Sequence, residues 1–104
     1  RALYRLSRDG SVSTLHKGEP FDFPHDLVRL PDGSFMVTDG YASAVFHVSA
    51  AGQVTSFAEG APLVTPQGIA REANGTLFVV DPQAGAIFRI GTDATIDRWV
   101  EVGS

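Results

Sequence analysis

The stretch PHDLVRLPDGSFMVTDGYASAVFHVSAAGQVTSFA, residues 24–58, returns 42 positions later as PQGIAREANGTLFVVDPQAGAIFRIGTDATIDRWV, residues 66–100. The two stretches align without a gap, and residues 2–23 match residues 44–65 at the same spacing. Identical residues in the first alignment are Pro24/Pro66, Arg29/Arg71, Gly33/Gly75, Val37/Val79, Asp39/Asp81, Ala42/Ala84, Ala44/Ala86 and Phe46/Phe88. The chain is therefore built from a unit of 42 residues, present as two full copies with half a copy before them.

Each unit contains four short runs that are rich in β-branched and aromatic residues. In the first full unit they are residues 26–30, 34–39, 44–49 and 53–58, which we label A to D. A period near 42 residues is typical of a four-stranded propeller blade or of a helix pair of the armadillo or HEAT kind. The runs are too short for stable helices, and hairpin signals such as Pro31-Asp32-Gly33 and Ala51-Gly52 separate them. The pattern therefore predicts antiparallel strands.

The predicted strands are apolar on both faces, as in Phe35-Met36-Val37, whereas a sheet with one face in water alternates. Blades packed between two neighbours have this property. We therefore predict an all-β fold, a β-propeller segment of about two and a half four-stranded antiparallel blades. Residues 1–23 would form half a blade from strands C and D, and residues 24–65 and 66–104 would form full blades. A small two-sheet sandwich is the alternative.

Ring closure sets a further expectation. Propellers close with roughly four to eight blades, so we expect the native protein to continue beyond both ends of this chain. Without the remaining blades of the parent chain, the strand at residues 2–7 would leave an open edge, and this edge would favour self-association.

The amino-acid composition limits the classes of binding partner and of metal site. The formal charge is -4, from 8 Lys and Arg against 12 Asp and Glu, which argues against binding to nucleic acid or to an anionic membrane. The absence of Cys removes disulfides and thiolate metal sites. It leaves the compartment open, with secretion or the periplasm favoured over the cytoplasm.

Blade geometry predicts which side could carry chemistry. The A–B and C–D turns lie on one side of a blade, and the B–C and D–A connections lie on the other. The second side holds His25, Asp26 and Tyr41, whose counterparts in the second unit differ, so these residues are free to serve a site. Since strand A is innermost, His25 and Gln67 should approach the central channel. Asp26, Gln67 and Gln83 are the predicted ligand-facing residues, and a protein, peptide or small molecule is the predicted ligand.

Two carboxylates receive a structural interpretation. Asp39 and Asp81 are identical in both units and end strand B, where a carboxylate can accept N–H bonds from the following loop.

The cofactor stays unassigned, with zinc and calcium as the possibilities. A zinc site needs about three protein ligands, and His16 and His47 sit elsewhere in the repeat than His25. Calcium would use oxygens such as those of Asp22, Asp26 and Asp39, which would lie on one face of the blade.

The segments Pro24-His25-Asp26-Leu27-Val28 and Val37-Thr38-Asp39 resemble the NHL repeat and the related SMP-30/gluconolactonase-like propellers. This resemblance covers nearly the whole chain and implies a fold rather than an activity. The SMP-30 lactonases hold a divalent ion with Glu, Asn and Asp oxygens, but the one Asn here, Asn74, belongs to a turn. Streptogramin-type lyases are similar in their repeats and are a further enzymatic alternative, for which no residue of this chain gives specific support.

A sharper likeness links residues 21–27 and Asp39-Gly40-Tyr41 to the peptidyl-alpha-hydroxyglycine amidating lyases. That likeness implies that His25 is a zinc ligand and Tyr41 a catalytic phenol. The chain departs from the family by placing Gln67 in the next blade. Two hypotheses follow: an NHL-type segment that presents a binding face within a larger propeller protein, or part of a metal-dependent lyase or hydrolase with its site in the channel.

Overall fold

A computed structural model describes residues 21, 22 and 24–101 in full, and residues 2–6 and 12–17 by their backbone. These residues form ten β-strands and no helix. The same residues include no helix with the length and apolar character needed to cross a membrane. Asp9-Gly10, which aligns with the hairpin signal at Ala51-Gly52, lies outside the described residues, and so does the side chain of His16.

The strands form three antiparallel sheets. A two-stranded sheet pairs β1 with β2, a four-stranded sheet has the order β3-β4-β5-β6, and a second has the order β7-β8-β9-β10. We call the two four-stranded sheets the first and second blades. The strands are β1 (Ala2–Leu6), β2 (Val12–Lys17), β3 (Pro24–Arg29), β4 (Phe35–Asp39), β5 (Ala44–Val48), β6 (Val54–Glu59), β7 (Gly68–Arg71), β8 (Leu77–Asp81), β9 (Ala86–Ile90) and β10 (Ile96–Glu101).

The sheets repeat with the period of the sequence. Strands β8, β9 and β10 begin 42 residues after β4, β5 and β6, which confirms the predicted fold class. The C–D register also recurs, since Ala44 pairs with Glu59 and Ala86 with Glu101. In each of these pairs the register shifts once, and the extra residue of the outer strand is Phe57 or Trp99. The β1–β2 sheet has the same kind of shift.

The inner strand of the first blade differs from the prediction. It begins at Pro24, two residues before the predicted start, and its pairing with β4 passes from Pro24/Asp39 to Asp26/Thr38. His25 is the extra residue of this bulge. The second blade has regular pairing from Gly68 onward. A bulge redirects a side chain, so the two blades place their corresponding residues differently at this edge.

The hairpin turns depend on residues that adopt a positive φ. Gly33 (87°) and Gly75 (94°) hold the A–B turns, where glycine has no Cβ to strain the backbone. In the C–D turns, Gly52 has φ of 90°, and Ala94 holds the equivalent place at 69°. The turn geometry is thus conserved between blades even where the glycine is lost.

The two blades pack face to face through an apolar layer that we call the interblade core. It consists of Met36, Val45, Ala58, Leu63, Leu77, Val79, Ala86, Phe88 and Ile90. A second cluster on the other face of the first blade consists of Phe21, Phe35, Val37, Ala44, Phe46 and Val48. The first blade is therefore buried on both faces, as its sequence predicts.

The second blade buries one face only. On its other side, Val80 is 41% exposed and Trp99 is 51% exposed, with the Trp99 ring 4.8 Å from that of Phe78. Thr38, which holds the repeat position of Val80 in the first blade, is completely buried against the second blade. We call this surface, which includes Phe78, Val80, Ile87 and Trp99, the open face.

Adjacent valines in β8 test this difference between faces. Val79→Ala removes two buried methyl groups from the interblade core, so we expect it to lower the free energy of unfolding by about 2 kcal/mol. Val80→Ala, on the open face, should cost less than about 1 kcal/mol, because the side chain is already partly in water. Both variants lose the same β-propensity, so urea titrations compare burial alone. Equal losses would contradict the assignment of faces.

Candidate functional site

The inner strands of the two blades lie side by side. Strand β7 contacts both β3 and β4 of the first blade. The buried Thr38 hydroxyl donates a hydrogen bond to the carbonyl oxygen of Gln67 and lies 3.3 Å from that of Asp26. One side chain of the first blade thus fixes the backbone at the start of the second blade's inner strand.

The side chain of Asp26 also connects the two blades through a hydrogen bond. Its carboxylate accepts the N–H of Leu27 at 2.9 Å through Oδ1 and the N–H of Ile69 at 3.2 Å through Oδ2. The side chain is exposed, so its second bond connects two inner strands at the solvent edge. Asp26 and Gln67, two of the predicted ligand-facing residues, therefore lie where the blades meet.

The buried carboxylate of Asp81 joins two segments of the second blade. It accepts the N–H of Val64 at 2.8 Å and that of Thr65 at 2.9 Å, both in the connection that precedes β7. It also accepts the N–H of Ala84 at 3.1 Å, in the loop that follows β8. Asp81 has no exposed surface, so these donors replace its hydration.

Asp39 repeats this arrangement in the first blade. It accepts the N–H of Asp22 at 2.7 Å from the connection before β3. It also accepts the N–H groups of Tyr41 and Ala42, at 3.2 and 3.1 Å, from the loop after β4. The structural role that the sequence predicts for both carboxylates is confirmed by these contacts.

The bulge at His25 places the imidazole against the B–C loop of its own blade. An ideal Cβ on Gly40 would lie 2.8 Å from both Cδ2 and Nε2 of His25, and 3.6 Å from the carbonyl oxygen of Pro66. The ring therefore occupies the space beside the Gly40 Cα. His25 is exposed, Gly40 is buried, and the next residue, Tyr41, is 66% exposed.

The rest of this loop is held in a sparsely populated conformation. Ser43 has φ of 53°, which disfavours any residue with a Cβ, and its counterpart in the second blade is Gly85 at 64°. The Ser43 hydroxyl donates to the carbonyl oxygen of Val64 at 2.6 Å, in the connection between the blades. The loop that carries Tyr41 is thus fixed at both ends, by Asp39 and by Ser43.

The predicted site residues separate into groups. His25 lies with the Gly40-Tyr41 segment, whereas Gln83 is exposed in the corresponding loop of the second blade. Sequence reasoning missed Thr38, although the hydroxyl is a clear departure from the valine at its repeat position, Val80. Within the described residues, no three His, Cys, Asp or Glu side chains are placed to hold a metal ion.

Comparison with solved structures supports the fold. The chain is similar to a streptogramin B lyase (20% identity, TM-score 0.78, 94% of this chain and 33% of that chain). It is also similar to the calcium-binding protein regucalcin from Agrobacterium tumefaciens (20%, 0.79, 97% and 36%) and to a putative gluconolactonase (22%, 0.66, 95% and 41%). A catalytically inactive histidine-to-alanine variant of virginiamycin B lyase from Staphylococcus aureus, with quinupristin, matches at 19% identity and TM-score 0.76, over 94% of this chain and 33% of that chain.

These similarities establish the β-propeller architecture, and they do so at identities where fold alone is shared. The chain spans about a third of the length of the lyase and regucalcin structures. No protein-family model and no curated protein matches the sequence. The likeness to SMP-30/gluconolactonase propellers is thus confirmed at the level of fold, and the NHL assignment stays a prediction.

Gly40→Ala tests the contact between the loop and His25. Because the new Cβ would come within 2.8 Å of the ring, we expect the imidazole to move, with a large change in its NMR signals. Gly68→Ala is the matched control, since its Cβ would meet Val80 at an ordinary 3.6 Å. Unchanged His25 signals in the Gly40 variant would contradict the packing described above.

Asp81→Asn tests the buried carboxylate. The amide group would direct N–H donors at backbone N–H donors, so we expect a loss of about 3 kcal/mol in the free energy of unfolding. Asp97→Asn, at an exposed position in β10, should change it by about 0.5 kcal/mol or less. Urea titration measures both, and similar losses in the two variants would refute a special role for Asp81.

Proposed function

We propose that this chain is an NHL-type propeller segment that binds a small molecule or peptide around His25, Asp26 and Tyr41. One observation carries the proposal: the bulge sets an exposed imidazole against Gly40, the residue that precedes the exposed Tyr41. Both side chains combine an aromatic surface with a polar group. Such pairs at the channel side of a propeller suit ligands that need stacking and one or two hydrogen bonds.

Comparison of the two blades supports the location. The scaffold residues Asp39 and Asp81 are the same and make the same kinds of bonds. The side chains at the edge differ, since His25 corresponds to Gln67 and Tyr41 to Gln83. The carboxylates that fix the loops are thus shared by the two blades, whereas the exposed side chains at this edge are not, and this contrast favours a recognition role for the edge.

The binding face would belong to a larger propeller. In the first blade, the surface equivalent to the open face is covered by the second blade, and Thr38 on that surface is completely buried. Covering Val80 and Trp99 in the same way calls for another sheet with the same type of apolar surface. We therefore propose further blades as the partner of the open face.

A second candidate is a lyase or hydrolase site in the channel. The observation that favours it is that a histidine-to-alanine variant of the structurally similar virginiamycin B lyase is catalytically inactive, while this chain has an exposed histidine, His25, at the edge described above. Zinc or calcium at this site would need donors besides His25 and Asp26, because the described residues contain no group of three donors.

Amide NMR spectra of the labelled chain test both functions. Benzoate, benzamidine, glucose and the tripeptide Ala-Phe-Ala serve as probes at millimolar concentrations. We expect the shift changes to cluster at residues 24–27 and 39–43 and to weaken in Tyr41→Ala but not in the matched variant Gln83→Ala. Changes centred on Trp99, or none with any probe, would overturn the binding proposal.

The same spectra recorded with zinc or calcium chloride test the metal-dependent alternative. That alternative predicts saturable changes around His25 that disappear in His25→Ala and persist in His47→Ala. A response that is equal in the two histidine variants would exclude a site built on His25.

A further inference from the structure

A cavity of about 360 Å³ lies between the two blades at the ends of the inner strands away from His25. Strand β3 runs from Pro24 to Arg29, so the cavity is on the order of 15 Å from the His25 edge. Its lining includes Leu30, Asp32, Met36, Arg71, Leu77 and Thr92. The cavity therefore belongs to the turn side of the blades, separate from the proposed ligand face.

The floor of the cavity is aliphatic. Met36 is 8% exposed and Leu77 is 1% exposed, and both belong to the interblade core, while Leu30 packs at its margin. A volume near 360 Å³ is within the range of small-molecule pockets, at its lower end. The site is thus preformed by the packing of the blades and suits a small apolar body.

Two residues of opposite charge, one from each blade, line the cavity. Asp32, in the A–B turn of the first blade, accepts both the hydroxyl and the N–H of Ser34 through Oδ1. Its Oδ2 has no hydrogen-bond donor among the described residues. The Ser34 hydroxyl, and after it the Ser34 N–H, holds the pKa of the Asp32 carboxyl below its usual value, so the carboxylate is ionised at neutral pH.

Arg71 supplies the positive charge. It ends β7 in the second blade, is half-buried, and forms no ion pair or hydrogen bond from its guanidinium with any described residue. It is not paired with Asp32, so the two charged groups lie more than a salt-bridge distance apart. Each is therefore available to a ligand group of opposite sign.

We propose that this interblade cavity binds a small aliphatic compound with a cationic group at one end and an anionic group at the other. The aliphatic chain contacts Met36 and Leu77, the cationic group pairs with Asp32, and the anionic group pairs with Arg71. Charge complementarity at both ends, over an apolar floor, distinguishes this ligand from a fatty acid or an alkylamine.

The test uses 6-aminohexanoate as the probe, with hexanoate and hexylamine as analogues that lack one charge. Titrations of the labelled chain, followed by amide NMR, should give saturable shifts at residues 30–36, 71–77 and 92. We expect each analogue to bind about tenfold more weakly than the probe, which is the effect of losing one charge-assisted hydrogen bond. Added salt should weaken the probe further.

Variants assign the effect to the two blades. Arg71→Gln should weaken binding of the probe about tenfold and leave the affinity for hexylamine unchanged. Asp32→Asn should also weaken binding of the probe about tenfold, but leave the affinity for hexanoate unchanged. Arg29→Gln is the matched control, since Arg29 holds the same repeat position as Arg71 but does not line the cavity. If Arg71→Gln disturbs folding, Asp32→Asn tests the site from the other blade.

Three outcomes would overturn the proposal. They are the absence of saturable shifts with 6-aminohexanoate, equal binding of the probe and both analogues, and an Arg29→Gln effect as large as that of Arg71→Gln. None of these results bears on the His25 edge, so the proposed function and this inference fail independently.

Discussion

A buried carboxylate that gathers backbone N–H groups from two segments is the interaction on which each blade depends. Asp39 and Asp81 end the second strand of their blades, where loops must change direction without leaving amide groups unpaired in the interior. By bonding the connection before the first strand to the loop after the second, the carboxylate fixes the edge where candidate ligand residues lie. Loop positions at this edge, including that of Tyr41, are consequences of this bond.

Apolar packing supplies the complementary constraint. The interblade core joins the sheets broadly through side chains such as Val45 and Phe88, whereas Thr38 and Asp26 connect the inner strands at defined atoms. The apolar packing is non-directional and holds the two sheets close together. The hydrogen bonds of Thr38 and Asp26 set how one inner strand lies against the next. Together they hold the two inner strands in one arrangement, although only the first blade has the bulge at His25.

Much of the fold follows from the sequence, because the 42-residue period and the alternation of strands and turns are local properties. Strands β4, β5 and β6 lie close to their predicted bounds, and the side of the blade that carries His25 and Tyr41 follows from strand order. The bulge at His25 could not be predicted, because a register shift depends on tertiary packing. The placement of Asp32 and Arg71 around one cavity also needs the blade-to-blade distance, which no local pattern contains.

The open face and the buried face of the second blade are different surfaces, and the stacking of blades is therefore directional, or head-to-tail. Each blade contacts the next blade through one face and the previous blade through the opposite face. Duplication of the unit in a gene thus brings its own interface, without any new complementary surface having to arise. Arrays of this kind lengthen in one direction until curvature closes them into a ring.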